Sequence, residues 1–288
     1  MDRLQGEKGV CGQTADCRLA SSGLHFGEEP SFSGRRGSGT LFFSGCACRC
    51  FFCQNVQISQ GRTGTLVSSR ELYAAAVRLI EQGAQNLNFV TPDHFAPHVR
   101  RLCEDVRSSG YRVPFLCNCS GYESNDVLDL LLDPIDIWVP DFKFADPRLA
   151  HRCIGDERYA SIALAALHRM VEAAGFLEPW DPSGEKTAER GVLVRHLVLP
   201  GHAEDSVAVL KRLRHEFGPY LPLSLMSQYH PMPGCEEEFA ATLRASAYAR
   251  VCEAAANLGF KQVYVQQDGG DDAFLPDFDL EQPFAGNR

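Results

Sequence analysis

The chain has 288 residues, 44% of them apolar and 23% charged, a balance that fits one large core or two small ones and excludes disordered, fibrous and repeat classes. Its 28 basic against 37 acidic residues leave a net charge of -9, the wrong sign for a surface that gathers nucleic acid or anionic lipid. No apolar run approaches the roughly 20 residues of a membrane helix, and no apolar stretch follows the charged N-terminus as in a secretory signal; the expected address is the cytoplasm, with no nucleic-acid or membrane partner.

Residues 1–38 are rich in Gly and Ser and form an expected N-terminal extension. From residue 39, short β-branched or aromatic runs alternate with segments of helical period. Strands are predicted at 40–44, 86–90, 113–117, 135–139, 192–199 and 221–227. The first helix opens with a capping box from Ser68 to Glu71, places Leu72, Ala76, Leu79 and Ile80 on one face, and stops at Gly83. Further helices are predicted at 95–108, 124–132, 160–174, 204–216 and 236–258, with an exposed excursion at 178–190. The spacing suits right-handed parallel crossovers, and six units fall short of a closed eight-stranded barrel. The predicted fold is therefore α/β, a partial (β/α)6 TIM-type barrel over 39–267, followed by an acidic tail at 268–288 with six acidic residues against one Arg.

Chemistry in such folds gathers at the carboxyl ends of the strands, and here these ends are polar or sulfur-bearing. They include Thr91 after the second strand, Asn118 and Ser120 after the third, Asp141 and Lys143 after the fourth, and Arg195 on the fifth. Asp141 and Lys143, two apart, project to one side and suit either a zwitterionic ligand or an internal ion pair. Arg195 lies in an apolar strand and needs an anion, either a ligand carboxylate or Asp141. His94, His196, His202 and His230 are read either as substrate-directed or as structural histidines.

Twelve cysteines are too few for a disulfide scaffold of this length, and four of them, Cys46, Cys48, Cys50 and Cys53, fall within eight residues. Cys46, Cys50 and Cys53 form C-x3-C-x2-C, which lets one loop bring three thiolates to three corners of a cubane cluster. Cys48, between two of these ligands, is read as a bystander that faces away from them. A zinc knot is the rival reading, and zinc wants a fourth protein ligand.

The run GTLFFSGC from Gly39 to Cys46, the spaced cysteines, and Gln54-Asn55 with Ile58-Ser59 resemble radical S-adenosylmethionine (SAM) proteins similar to the pyruvate formate-lyase activating enzyme. Glu28-Glu29-Pro30, Val90-Thr91-Pro92, Ser120-Gly121-Tyr122, Pro140 to Lys143, Arg195 to Gly201 and Leu225 to Tyr229 continue the resemblance in order across about 9–267. It implies a [4Fe-4S] cluster on Cys46, Cys50 and Cys53, with the open iron chelating SAM. It also implies SAM contacts from Phe52, Thr91, Asn118, Ser120, Asp141, Lys143 and Arg195, although Val90-Thr91-Pro92 stands where relatives carry Gly-Gly-Glu for the SAM amine. The implied reaction is reductive cleavage of SAM to a 5'-deoxyadenosyl radical that abstracts hydrogen, fed by a flavodoxin or ferredoxin type electron donor. Its substrate would be a glycyl radical enzyme, another protein or a smaller molecule.

Gly6 to Cys11 resembles the end of a cysteine-rich leader in these relatives, so an upstream segment supplying a second metal site with Cys11 and Cys17 is an expectation of the reading. Cys117 and Cys119 share one side of the third strand and either join a site or pack. Two other classes stay open: an iron-sulfur regulatory or electron-transfer protein without SAM cleavage, and a zinc-dependent barrel hydrolase.

Overall fold

A computed structural model describes residues 2–61, 63–266, 275–280 and 282–284. The strands are β1 (Arg18–His25), β2 (Ser38–Phe43), β3 (Thr65–Leu66), β4 (Leu87–Val90), β5 (Phe115–Cys119), β6 (Ile137–Pro140), β7 (Gly191–Val192), β8 (Val194–Leu197), β9 (Leu223–Met226) and β10 (Val263–Val265). The helices are α1 (Pro30–Ser33), α2 (Val56–Ser59), α3 (Ser69–Glu81), α4 (Ala96–Ser108), α5 (Asn125–Leu131), α6 (Pro147–Ile154), α7 (Tyr159–Ala174), α8 (Ala203–Phe217) and α9 (Ala245–Asn257). None of them is long and apolar enough to cross a membrane.

Strands β2, β4, β5, β6 and β7 run parallel in one sheet, and β8, β9 and β10 run parallel in another. The two sheets join where Phe142 N donates to the Arg195 carbonyl (2.8 Å) and Asp141 pairs with Arg195 through a parallel bridge. The result is the expected partial barrel of βα units, open rather than closed. Every residue of β2 is buried, because Leu41 and Phe43 face the helices while Phe42 faces the interior. A strand covered on both faces reads as an unbroken apolar run.

The Ser68 capping box is present as expected, and α3 buries Leu72, Ala75, Ala76 and Leu79 against the sheet. Gly83 ends it at φ 93°, a left-handed conformation that Gly adopts without a side-chain clash.

Four features depart from the sequence reading. The single strand expected at 192–199 is two pieces, β7 on β6 and β8 on β9, because Leu193 N bonds to Trp138 O while Val194 N turns to Pro222 O. Residues 18–25, placed in the extension, form β1, antiparallel to β2 and β3. The apolar run at Val263–Val265 adds β10, parallel to β9. The helix expected over 236–258 begins only at Ala245, since Glu236 and Glu238 are drawn off to Arg152 (2.6 Å each) and leave a short 3-10 turn at Glu237–Phe239.

Of the tail, Phe278 and Phe284 pack on Phe42, and Phe278 N donates to Gln57 Oε1 (2.9 Å). Residues 268–274, 281 and 285–288, part of the expected acidic tail, lie outside the described residues.

Candidate functional site

A cavity of about 200 Å3 opens at the carboxyl ends of β4, β5, β6, β8 and β9, against the loop that follows β2. All ten site residues read from the sequence line it: Cys46, Cys50, Phe52 and Cys53 from the loop, Thr91, Asn118, Ser120, Asp141 and Lys143 from the strand ends, and Arg195 from β8.

The loop carrying the cysteines is not extended. It bends through 45–53 with Arg49 at φ 47°, and Cys48 does not face away from its neighbours. Cys48 instead lines the cavity, its thiol within hydrogen-bonding reach of both Cys46 and Cys50. The hydrogen bond from Cys48, helped by backbone N–H groups and the charge of Lys143, holds the Cys46 thiol down at about 6, whereas burial pushes Cys53 up to about 12. Ser59 donates to Cys53 Sγ at 3.2 Å, and Gln60 Nε2 donates to the Cys50 carbonyl at 3.0 Å. Helix α2, directly after the loop, thus pins its last two cysteines.

No three His, Cys, Asp or Glu side chains among the described residues are grouped to hold a single metal ion. A cubane asks for something else, soft thiolates on separate irons. The donor set at the cavity fits that demand, with Cys46, Cys50 and Cys53 on one loop and the Lys143 ammonium close enough to feel their charge. Burial opposes the ammonium, but Asp141 and the surrounding thiols outweigh it, and the Lys143 pKa lies well above its usual value.

The remaining expected contacts are placed as follows. Lys143 Nζ bonds Asp141, so the two form the ion pair within the cavity wall. The Arg195 guanidinium does not meet the Asp141 carboxylate. It is clamped by Glu28 and Glu29, which stand just before α1, its Nε donating to Glu29 Oε1 at 2.9 Å. Ser120 is engaged in a turn, its hydroxyl donating to the buried Glu123 (3.1 Å) and accepting from Tyr122 N (3.3 Å). Thr91 holds φ 53°, an unusual conformation for a β-branched residue, with its N–H bonded to Asn118 O at 2.9 Å.

Two of the strand-end histidines take structural partners. His94 Nε2 lies 2.7 Å from Ser44 O, and His196 Nδ1 lies 2.7 Å from Phe142 O. Cys117 and Cys119 are buried and hydrogen-bonded to one another, and Cys119 reaches the cavity. Sequence reasoning passed over the wall formed by Gln54 and Gln228, which bond each other across the cavity rim, and over the roles of Glu28 and Glu29. Gln54 stood beside the cysteines, but nothing local ties it to a residue 174 positions away.

Residues 33–152 match the 4Fe-4S single cluster domain. Over 204 residues the chain is 25% identical to an uncharacterized protein, MJ0674, of Methanocaldococcus jannaschii; the aligned part is 69% of this chain. The chain spans 54% of the length of that relative. Among solved structures it is similar to the radical S-adenosylmethionine methyltransferase TsrM from Kitasatospora setae (TM-score 0.49, 16% identity, 66% of this chain and 37% of that one). It is also similar to methylornithine synthase PylB (TM-score 0.49, 12% identity, 86% and 75%). Cys46, Cys50 and Cys53 all lie inside the region that matches this domain.

Proposed function

We propose that the chain is a radical SAM enzyme of the kind similar to the pyruvate formate-lyase activating enzyme, reduced by a flavodoxin or ferredoxin type donor. The observation that carries this reading is the meeting, in one cavity at the strand ends, of three thiols from the region that matches the 4Fe-4S single cluster domain with seven polar or aromatic residues drawn from four other elements and the same loop. When bound, a reduced cluster would pass one electron to the sulfonium of SAM, releasing methionine and a 5'-deoxyadenosyl radical that takes hydrogen from a substrate.

The chain's own residues supply the setting for that chemistry. Cys46, Cys50 and Cys53 would hold the cluster, and Lys143 offsets thiolate charge. Phe52, packed edge-on against Phe144 (6.2 Å), gives the cavity an aromatic wall that excludes water. Asn118 and Thr91, which line the cavity, carry side chains able to hydrogen-bond a nucleoside or amino-acid moiety.

Anaerobic reconstitution followed by dithionite and SAM tests the reading. A brown protein that releases 5'-deoxyadenosine and methionine supports it. A brown protein that leaves SAM intact would make it an electron-transfer or regulatory protein, and a colourless zinc-loaded protein would remove the cluster altogether.

A further inference from the structure

Beside the cysteine-lined cavity lies a second one, of about 420 Å3, and the two share Gln54, Val90, Asn118 and Gln228 among their walls. A chamber at the carboxyl ends of the strands needs a rim that admits ligand and then excludes water. Two parts of this rim are built differently.

One part is a chain of amides. Gln54, directly after the cysteine loop, accepts at Oε1 from Gln228 Nε2, beyond the end of β9, at 3.3 Å. Gln228 Oε1 accepts from Gln266 Nε2 (2.8 Å), and Gln266 Oε1 accepts from Ser227 N (2.7 Å). These bonds tie the cysteine loop to the ends of β9 and β10, and opening the rim here leaves partly buried amides unpaired.

The other part is the segment at 275–280 and 282–284, which seats two phenylalanines on the chamber. Phe284 lines it, its ring centroid 4.2 Å from that of His25 and 6.0 Å from that of Phe42. Phe278, 6% exposed, stands edge-on to Phe42 (5.2 Å) and packs in one cluster with Ile58 and Val90. The segment is closed on itself, Asp277 N donating to Pro283 O (2.8 Å) and Leu280 N to Asp277 O (3.1 Å), so it keeps its shape as a unit. Gln57 clips it near the surface, accepting from Phe278 N (2.9 Å) and donating Nε2 to Asp277 Oδ1 (3.2 Å), while Asp277, Asp279 and Leu280 are exposed. Aromatic seats within, a clip that water can replace and internal closure suit a piece that lifts and returns without unfolding the barrel.

We propose that this segment is a strap that gates the chamber, with Phe278 as its anchor and Phe284 as its plug: ligand enters by lifting it, and the seated strap shuts both cavities against bulk water. The proposal rests on the radical SAM reading only for the reaction that is sheltered.

The test is thiol accessibility in the full chain, cluster-loaded and anaerobic. Cys119 lines the cysteine cavity and is 3% exposed, whereas Cys103, on α4, is fully buried and lines neither cavity. Alkylation of each by N-ethylmaleimide is followed by peptide mass spectrometry. Phe284→Ala is expected to speed labelling of Cys119 about tenfold or more and to leave Cys103 slow, because the lifted population grows by the loss of one buried aromatic seat. Phe278→Ala should do the same. Phe284→Tyr, which keeps the ring, should retain the slow rate, and Leu280→Ala, at an exposed position of the same segment, should change nothing. Unchanged labelling of Cys119 in both Phe→Ala variants overturns the proposal, and so does equal acceleration at Cys103, which would mean that the fold at large has loosened. Labelling requires no cluster, so it decides the strap in a colourless preparation as well. Release of 5'-deoxyadenosine is measured separately on the unmodified protein. Gated labelling without release defeats the radical reading and leaves the strap assigned, and release with ungated labelling defeats the strap alone.

Discussion

Gly121 stands so close to Asp141 that a β-carbon on it would lie 2.1 Å from the Asp141 carbonyl oxygen. The contact joins the loops after β5 and β6. Asp141 N also donates to Cys119 O (3.0 Å), and the buried Tyr159 hydroxyl sits 2.9 Å from both the Ser120 and Asp141 carbonyls while accepting from Lys143 N. Asp141 and Lys143 are therefore held by backbone approach more than by their own side chains.

Gly121→Ala is expected to destabilise the fold by about 2–4 kcal/mol, since both the left-handed φ of 75° and the clash oppose it. Gly155 offers the control, with φ 80° but open space around its missing β-carbon. Gly155→Ala should cost only about 1–2 kcal/mol. Urea unfolding of the two variants measures the difference, and equal losses would show that the approach to Asp141 carries no weight.

For the cysteine loop, Cys50→Ala should lose the bound iron and the brown colour after anaerobic reconstitution, as should Cys46→Ala and Cys53→Ala. Cys48→Ala should retain both. Its thiol points at Cys46 and Cys50 and can donate to them, which makes it a neighbour of the ligands and this variant the decisive one. Loss of iron from Cys48→Ala would move the ligand assignment to four thiols.

The site was legible to the extent that it is local or sits at a strand end. C-x3-C-x2-C named the loop, and the parallel βα rhythm placed Asn118, Asp141 and Arg195 at one rim without any knowledge of tertiary contacts. What escaped depends on the path of the chain between elements. Facing Cys48 away has no basis in an extended segment, where residues two apart share a side, and in the bent loop its thiol lies beside Cys46 and Cys50. The partners of Arg195 lie 166 and 167 positions away, just before α1, in a segment read as an extension because RLASSGLH in β1 lacks the alternation of a half-buried strand. The break of the fifth strand at Leu193 was equally invisible, since Val192, Leu193 and Val194 are apolar on both sides of it and the change of partner leaves no mark in composition.

Asp205, on α8, offers a test of how the loop after Lys143 is fastened. Its carboxylate accepts from Ala145 N (3.1 Å) and Asp146 N (2.7 Å), two N–H groups that α6 cannot use. Asp205→Ala should cost about 1–3 kcal/mol by leaving them unpaired, and Asp205→Asn less, because one amide oxygen still accepts. Unfolding curves that show no loss for the alanine variant would mean that water replaces the carboxylate freely.

The last prediction concerns acid. His196, on β8, is fully enclosed, with Nδ1–H donating to the Phe142 carbonyl and Nε2 buried without a partner among the described residues. Burial drives its pKa down from 6.5 to about 4, so the native state prefers the neutral ring while the unfolded chain binds a proton readily below 6.5. The unfolded state therefore holds more protons between these two values, and stability must rise with pH across that window. The contribution is complete above pH 6.5 and is lost as the pH falls toward 4. A gap of this width corresponds to roughly 3 kcal/mol. His196→Asn keeps an N–H for Phe142 and removes the titration, so the stability advantage of the native sequence over this variant should narrow by about 2–3 kcal/mol as the pH is lowered from about 7 to 4. Urea midpoints taken across that range on the cluster-loaded protein measure it. A constant gap would mean that protonated His196 is accommodated in the fold, and that the enclosure at the β6–β8 junction opens to water on acidification.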